Sequence, residues 1–165
     1  MGQRRGILFL VVGPSGVGKD SLIDGARHWL ADDLSFHFPQ RFITRPADAG
    51  GEDHQAMSLP AFLHHEAEGQ FLLSWTAHGH HYGIPKNAEQ ALAKGRSVII
   101  NVSRQVIDDA RRRWPPVRII QVSAPRDVLA DRLTARARES IEVIQDRLDR
   151  AGAFHIKGDL SLIHI

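Results

Sequence analysis

The chain has no cysteine. Disulfides and thiolate metal sites are therefore excluded, and a reducing compartment, the cytoplasm, is the expectation. No apolar run is long enough to span a membrane. The apolar part of residues 1–10 continues straight into a glycine loop, so it reads as a first strand and not as a signal peptide. Net charge is also nearly absent, at +2 over 165 residues. The arginines cluster in particular stretches, which suits a small anionic substrate and argues against a nucleic-acid partner. There is no internal repeat and no low-complexity linker, and nothing in the pattern reports an oligomeric state. What is present is ordinary for one globular domain with a real core: 42% hydrophobic and 24% charged residues.

One stretch organises the rest, Gly13-Pro14-Ser15-Gly16-Val17-Gly18-Lys19-Asp20-Ser21. It follows the apolar run Ile7–Val12 and leads into a helical pattern from Lys19 to about Leu30. Strand, glycine loop and helix are the setting that a phosphate-binding loop requires. Glycines let successive N–H groups turn inward around a phosphate chain. The helix N-terminus adds partial positive charge, and Lys19 reaches the β- and γ-phosphates as a mobile charge. A glycine-rich turn without a ligand is the bland alternative, and it leaves the Gly-x4-Gly-Lys spacing unexplained. All residues from Gly13 to Ser21 are thus expected at ATP. The position after the lysine is usually a hydroxyl that helps hold Mg²⁺. Here it is Asp20, with the hydroxyl one later at Ser21. A carboxylate beside a triphosphate is repulsive unless it faces Mg²⁺ or points away, and the sequence leaves that choice open.

The remaining pattern alternates strands and helices. A short strand lies in Arg41–Pro46, a loop in 47–55, and a helix opens at Ser58-Leu59-Pro60 with serine at its N-cap. Phe71–Trp75 reads as a strand, Gly79–Gly83 as a turn, and Pro85–Lys94 as a helix closed by Gly95. Ser97–Val102 and Val117–Val122 are apolar strands around a helix at Ser103–Trp114. Helices at Pro125–Arg138 and Ser140–Ala151 precede a last strand at Leu160–Ile165. Buried strands alternating with helices predict an α/β fold, a parallel sheet flanked by helices, with ligands at the carboxyl ends of the strands. Residues from about 46 to 85 interrupt the alternation and read as an inserted subdomain within a single domain over 1–165. The chain stops on what reads as a buried strand, so truncation there is expected, with weakened ATP binding and stability as its consequence. Trp29 and Trp114 fall near helix ends and are expected in the core.

Three stretches resemble the guanylate kinase superfamily and, within it, the ribose 1,5-bisphosphate phosphokinases of phosphonate catabolism. They are the loop with its Lys19-Asp20-Ser21, the segment Ile43-Thr44-Arg45-Pro46-Ala47-Asp48-Ala49-Gly50-Gly51-Glu52-Asp53-His54, and Leu73-Ser74-Trp75-Thr76-Ala77-His78-Gly79-His80-His81-Tyr82-Gly83. Asn101-Val102-Ser103-Arg104 agrees as well. The resemblance implies a P-loop kinase that uses ATP and Mg²⁺, binds its acceptor on the inserted subdomain and closes an arginine-rich lid over about 132–147. Arg45 matches the first of two phosphate-holding arginines in guanylate kinases; Asp48 stands at the second, and Arg41 is a candidate replacement. His54 stands at a phosphate-contacting position. The position of a guanine-reading glutamate falls near Leu73 or Ser74, and neither is a carboxylate. A buried guanine edge left unpaired costs about 1–3 kcal/mol per group, so the acceptor implied is a sugar phosphate, not a guanine nucleotide. Asn101 and Ser103 stand where guanylate kinases carry aspartates, so the expected Mg²⁺ ligands are the nucleotide phosphates, waters and Ser21.

The other candidates keep two readings. Arg132, Arg136 and Arg147 are expected in the lid, as catalytic partners of Lys19 that stabilise the transferred phosphoryl group. Read without the resemblance, they are a solvated helix face paired with Asp131, Glu139 and Asp146. His81 and Tyr82 either face the acceptor phosphate or pack in their turn, and Trp75 lies beside them. The histidines at 64, 65, 78, 80 and 81 have no metal-ligand spacing. The expected reaction is phosphorylation of ribose 1,5-bisphosphate to 5-phospho-α-D-ribose 1-diphosphate. The rivals are a guanylate or other nucleoside monophosphate kinase and, from another class, a non-catalytic guanylate-kinase-like module that binds a phosphopeptide.

Overall fold

A computed structural model describes residues 5–49, 53–135, 145, 149, 156 and 160–165. Strand β1 (Leu8–Val12) runs into the glycine loop and helix α1 (Lys19–Trp29). Two short strands follow, β2 (Phe36–His37) and β3 (Phe42–Ile43), then β4 (Gln55–Ala56) and α2 (Leu59–Ala67). A hairpin of β5 (Phe71–Ala77) and β6 (His80–Pro85) leads to α3 (Asn87–Ala93). The chain continues through β7 (Ser97–Asn101), α4 (Ile107–Arg113), β8 (Val117–Ser123), α5 (Arg126–Ala135) and β9 (Leu160–His164).

The main sheet has the order β2-β7-β1-β8-β9 with every pairing parallel. Its central strands are apolar because they are covered on both sides. Leu8, Leu10 and Val12 of β1 pack with Val98, Ile100 and Ile119 and with residues of α3 and α4. Val11 faces the other way, against Val17, Ile23, Val122, Leu129 and Leu133 from the loop, α1, β8 and α5. The doubly covered α/β sheet is thus as expected. It places the loop after β1 and the end of β7 side by side, with Val11 paired to Asn101.

The second sheet, β4-β3-β6-β5, is antiparallel apart from the β3–β4 pairing. Ser58 caps α2 by accepting from the Ala61 N–H at 3.3 Å, as its position before Leu59-Pro60 requires. α2 then lays Phe62, fully buried, onto Phe71 with ring centroids 4.6 Å apart. Gly83 makes room for this: a Cβ there would lie 2.6 Å from the Phe71 ring.

Several expectations change. Gly79–Gly83 is not a turn. His78 and Gly79, with φ of 51° and 75°, close the hairpin in two residues, and β6 starts at His80. Two consecutive left-handed residues match the strand twist, so no longer loop is needed. Trp29 is 88% exposed and not core, because it ends α1 on the side away from Ile23, the buried residue of that helix. Trp114 does pack against the core, with Arg113 over its ring at 4.0 Å. β9 is not buried: it is the outermost strand, paired to β8 alone, and Leu162 is 64% exposed. Of the helix expected over 140–151, positions 145 and 149 are helical and the others lie outside the described residues, as does the helix expected beyond Ala135. No helix among the described residues is long and apolar enough to cross a membrane.

Candidate active site

The loop after β1 has the backbone that phosphate binding demands. Gly16 and Gly18 adopt φ of 82° and 104°, which only glycine takes without strain. A side chain on Gly16 would also meet Leu133 of α5 at 3.2 Å. Val17, fully buried, pins the loop to the core, and its N–H donates to the Pro14 carbonyl at 3.4 Å. Lys19 folds its Nζ back onto the Gly13 and Pro14 carbonyls at 2.8 and 2.9 Å. The ammonium is thereby held over the concave loop, where a phosphate chain competes for it. Ser21, in the first turn of α1, is exposed.

Arg41 is not presented to solvent. It is 8% exposed, donates from Nη1 to the Asn101 carbonyl at 2.8 Å and places Nη2 3.9 Å from Asp20 Oδ1. Its guanidinium lies over Trp75 and Tyr82 at 5.9 and 5.6 Å. Those rings are themselves stacked, 4° from parallel with centroids 5.3 Å apart, and each is 8% exposed. Burial pushes the Arg41 guanidinium down to about 10 and the Asp20 carboxylate opposes the fall, so the group stays cationic at neutral pH. Asn101 completes the cluster by donating Nδ2 to Asp20 Oδ1 at 2.6 Å. Arg41, Trp75 and Tyr82 therefore tie the second sheet to the loop, instead of lining an open surface.

Arg45 contrasts with Arg41. Its Nε and Nη2 are buried and have no hydrogen-bond partner. Buried guanidinium donors without acceptors are costly unless an anion comes to them. Arg45 lines a cleft of ≈ 520 Å³ with Thr44, Met57, Ser58, Gly79 and His81. His54, 5% exposed, supports the segment from behind: its Nε2 lies 3.1 Å from the Arg45 carbonyl, which only accepts, so that nitrogen carries the proton. His81 stands in the cleft with Nδ1 3.3 Å from Thr76 Oγ1 and its N–H donating to Thr44 Oγ1 at 2.9 Å. Arg45 follows Arg41 by one short segment, so their Cα atoms are at most about 14 Å apart. The Thr44 carbonyl also lies 3.1 Å from His80 Nδ1, so Thr44, within the stretch that carries Arg45, belongs to the cleft as well, a role its residue type alone does not signal.

Arg132 comes from α5 and donates to the Val17 carbonyl at 2.9 Å, so it braces the loop from above. Arg136 and Arg147 lie outside the described residues, as does Arg138. Among the described residues no group of histidines and carboxylates could hold a metal by itself. The oxygens nearest the loop lysine in sequence belong to Asp20 and Ser21.

Comparison with known proteins agrees with this layout. The guanylate kinase family model matches residues 5–156. Ribose 1,5-bisphosphate phosphokinase PhnN of Brucella melitensis is 45% identical over 150 residues, 91% of this chain and 78% of that protein. The protein of the same name from Rhodopseudomonas palustris is 47% identical over 150 residues, 91% of this chain and 77% of its own. In fold, the chain is similar to the guanylate kinase of Anaplasma phagocytophilum, with a TM-score of 0.64 at 21% identity, covering 98% of this chain and 77% of that one. Loop, strand order and these relatives together make the chain a member of the guanylate kinase family and, within it, of the ribose 1,5-bisphosphate phosphokinases.

Proposed function

We propose that the chain transfers the γ-phosphoryl group of ATP to the 1-phosphate of ribose 1,5-bisphosphate. The products are ADP and 5-phospho-α-D-ribose 1-diphosphate. The observation that carries this reading is the pair of buried Arg45 donors, Nε and Nη2, that have no hydrogen-bond partner in their cleft, in a chain with an intact phosphate loop. It is a site built for an anionic acceptor, and the PhnN relatives carry the matching name. The segment of about 46–85 is the acceptor-binding subdomain, and about 132–147 is the lid.

In the reaction a bond forms between the γ-phosphorus and an oxygen of the 1-phosphate. The bond from the γ-phosphorus to the β–γ bridging oxygen breaks, and ADP leaves with that oxygen. The attacking oxygen is already ionised, so no general base is required. Catalysis is then positioning and charge neutralisation. The loop from Gly13 to Ser21 holds the β- and γ-phosphates through its N–H groups and Lys19, which moves from the Gly13 and Pro14 carbonyls to the nucleotide. Arg45 and His81 hold the acceptor, with His54 fixing the Arg45 backbone. Arg41, Trp75 and Tyr82 set the acceptor sheet against the loop. Arg132 joins the lid to the loop, and Arg136 and Arg147 supply charge to the transferred group. The donor set fits Mg²⁺, which takes one or two protein oxygens plus substrate phosphates; Asp20 and Ser21, directly after Lys19, are the candidates that would supply them. Bound there, Mg²⁺ would supply neutralisation of phosphate charge.

The intact loop favours a kinase over a phosphopeptide-binding module, which has no use for a nucleotide site. The test is ADP release from Mg·ATP with ribose 1,5-bisphosphate, with Lys19→Ala as control. Turnover is expected for the chain and its loss for the variant.

A further inference from the structure

Asp20 is the residue that phosphate binding alone does not account for. It occupies the position at which loops of this kind present a hydroxyl to Mg²⁺. A carboxylate there repels a bare triphosphate, and the structure does not turn it away. Asn101, the last residue of β7 and 9% exposed, donates Nδ2 to Asp20 Oδ1 at 2.6 Å. Arg41 stands 3.9 Å from the same oxygen. Both neighbours are fixed: Arg41 is locked on the Asn101 carbonyl at 2.8 Å and over the Trp75 and Tyr82 rings. Both contacts fall on Oδ1, while 43% of the Asp20 side chain stays exposed. A cavity of ≈ 40 Å³, whose lining includes Asp20, Asp24, Arg27, Arg41, Asp53 and Asn101, has room for ordered water. The carboxylate is thus held by one oxygen, next to the phosphate-reaching lysine, at the carboxyl ends of β1 and β7. That suits a cation that takes few protein ligands.

We propose that Asp20, and not the hydroxyl of Ser21, is the protein's ligand to the Mg²⁺ of bound ATP, with Asn101 and Arg41 as positioning residues. The inference rests on the reading of the loop as an ATP site. The residue after the lysine faces the end of β7, and Ser21, one step further round α1, faces solvent. Asn101 supplies the amide that fixes the carboxylate's rotamer, and Arg41 transmits that placement to the acceptor sheet.

The experiment is calorimetric titration of ATP into the full chain, with Mg²⁺ and with a chelator. Mn²⁺ resonance titration of the ATP complex serves as a second readout. In Asp20→Asn the gain in ATP affinity conferred by Mg²⁺ is expected to fall by about tenfold or more, while metal-free ATP binds more tightly because the repulsion is gone. Asn101→Ala, which leaves the carboxylate in place, is expected to reduce the same gain in the same direction. It carries the test should Asp20→Asn not fold. A purely structural brace would lower melting temperature without changing the metal dependence. An unchanged Mg²⁺ gain in both variants, or its loss in Ser21→Ala with retention in Asp20→Asn, would overturn the inference alone. Failure of the unsubstituted chain to bind ATP under either condition would overturn the ATP-site reading and the inference with it.

Discussion

Arg41 and Arg45 stand on one short segment and meet different partners. The family resemblance implies a phosphate ligand at Arg45 and offers Arg41 as a candidate replacement for the second. Their difference lies in partners far along the chain: Arg41 meets Asn101, Trp75 and Tyr82, while Arg45 meets none through Nε and Nη2. Charge-assisted hydrogen bonds to an acceptor phosphate contribute roughly 1.5–3 kcal/mol. Arg45→Ala is therefore expected to raise the KM for the acceptor by about 10- to 100-fold and to leave that for ATP nearly unchanged. Steady-state kinetics with each substrate varied would show it, and equal losses on both would contradict the role. His37 gives a prediction about pH. Its Nε2 is buried without a partner, and burial, aided by the Arg96 charge, pulls its pKa below the usual histidine value. The folded state thus resists protonation that the unfolded chain accepts, so its contribution is present above about 6.5 and lost as pH falls through the lower folded value. Melting temperature is expected to fall on acidification below that point, and less steeply in His37→Phe; parallel pH profiles would refute this.

At the scale of elements, legibility followed length and pattern. β1, β7, β8 and α1 were readable because each carries a continuous apolar run or a sustained periodic pattern. β3 falls within the short strand expected at Arg41–Pro46, whereas β2 and β4, two residues long, are too short to show a period of two. The β5–β6 hairpin was misread because His78, not a glycine or asparagine, takes the first left-handed position. Gly83 lies at the middle of β6, pressed against the Phe71 ring on which Phe62 is stacked. Gly83→Ala forces that ring to move, which costs about 1–3 kcal/mol. A melting temperature lower by several degrees is expected. An unchanged melting curve would show that the aromatic pair yields freely.

For the molecule as a whole, the strand–loop–helix opening and the strand alternation fixed the architecture in advance, because parallel strands covered on both faces leave few other solutions. The exposure of β9 was not foreseeable from its apolar composition, since burial depends on what lies beyond an edge strand and not on the strand itself. The same holds for the site: its residue types were legible, while the division between a buried brace and an open anion cleft required the packing of two sheets. This packing serves a sugar-phosphate acceptor and not a nucleotide. The most direct measurement is kcat/KM for ribose 1,5-bisphosphate against GMP in one ADP-release assay with saturating Mg·ATP. Turnover with the sugar bisphosphate, and little or none with GMP, is expected. Preference for GMP, or no turnover with ribose 1,5-bisphosphate, would contradict it.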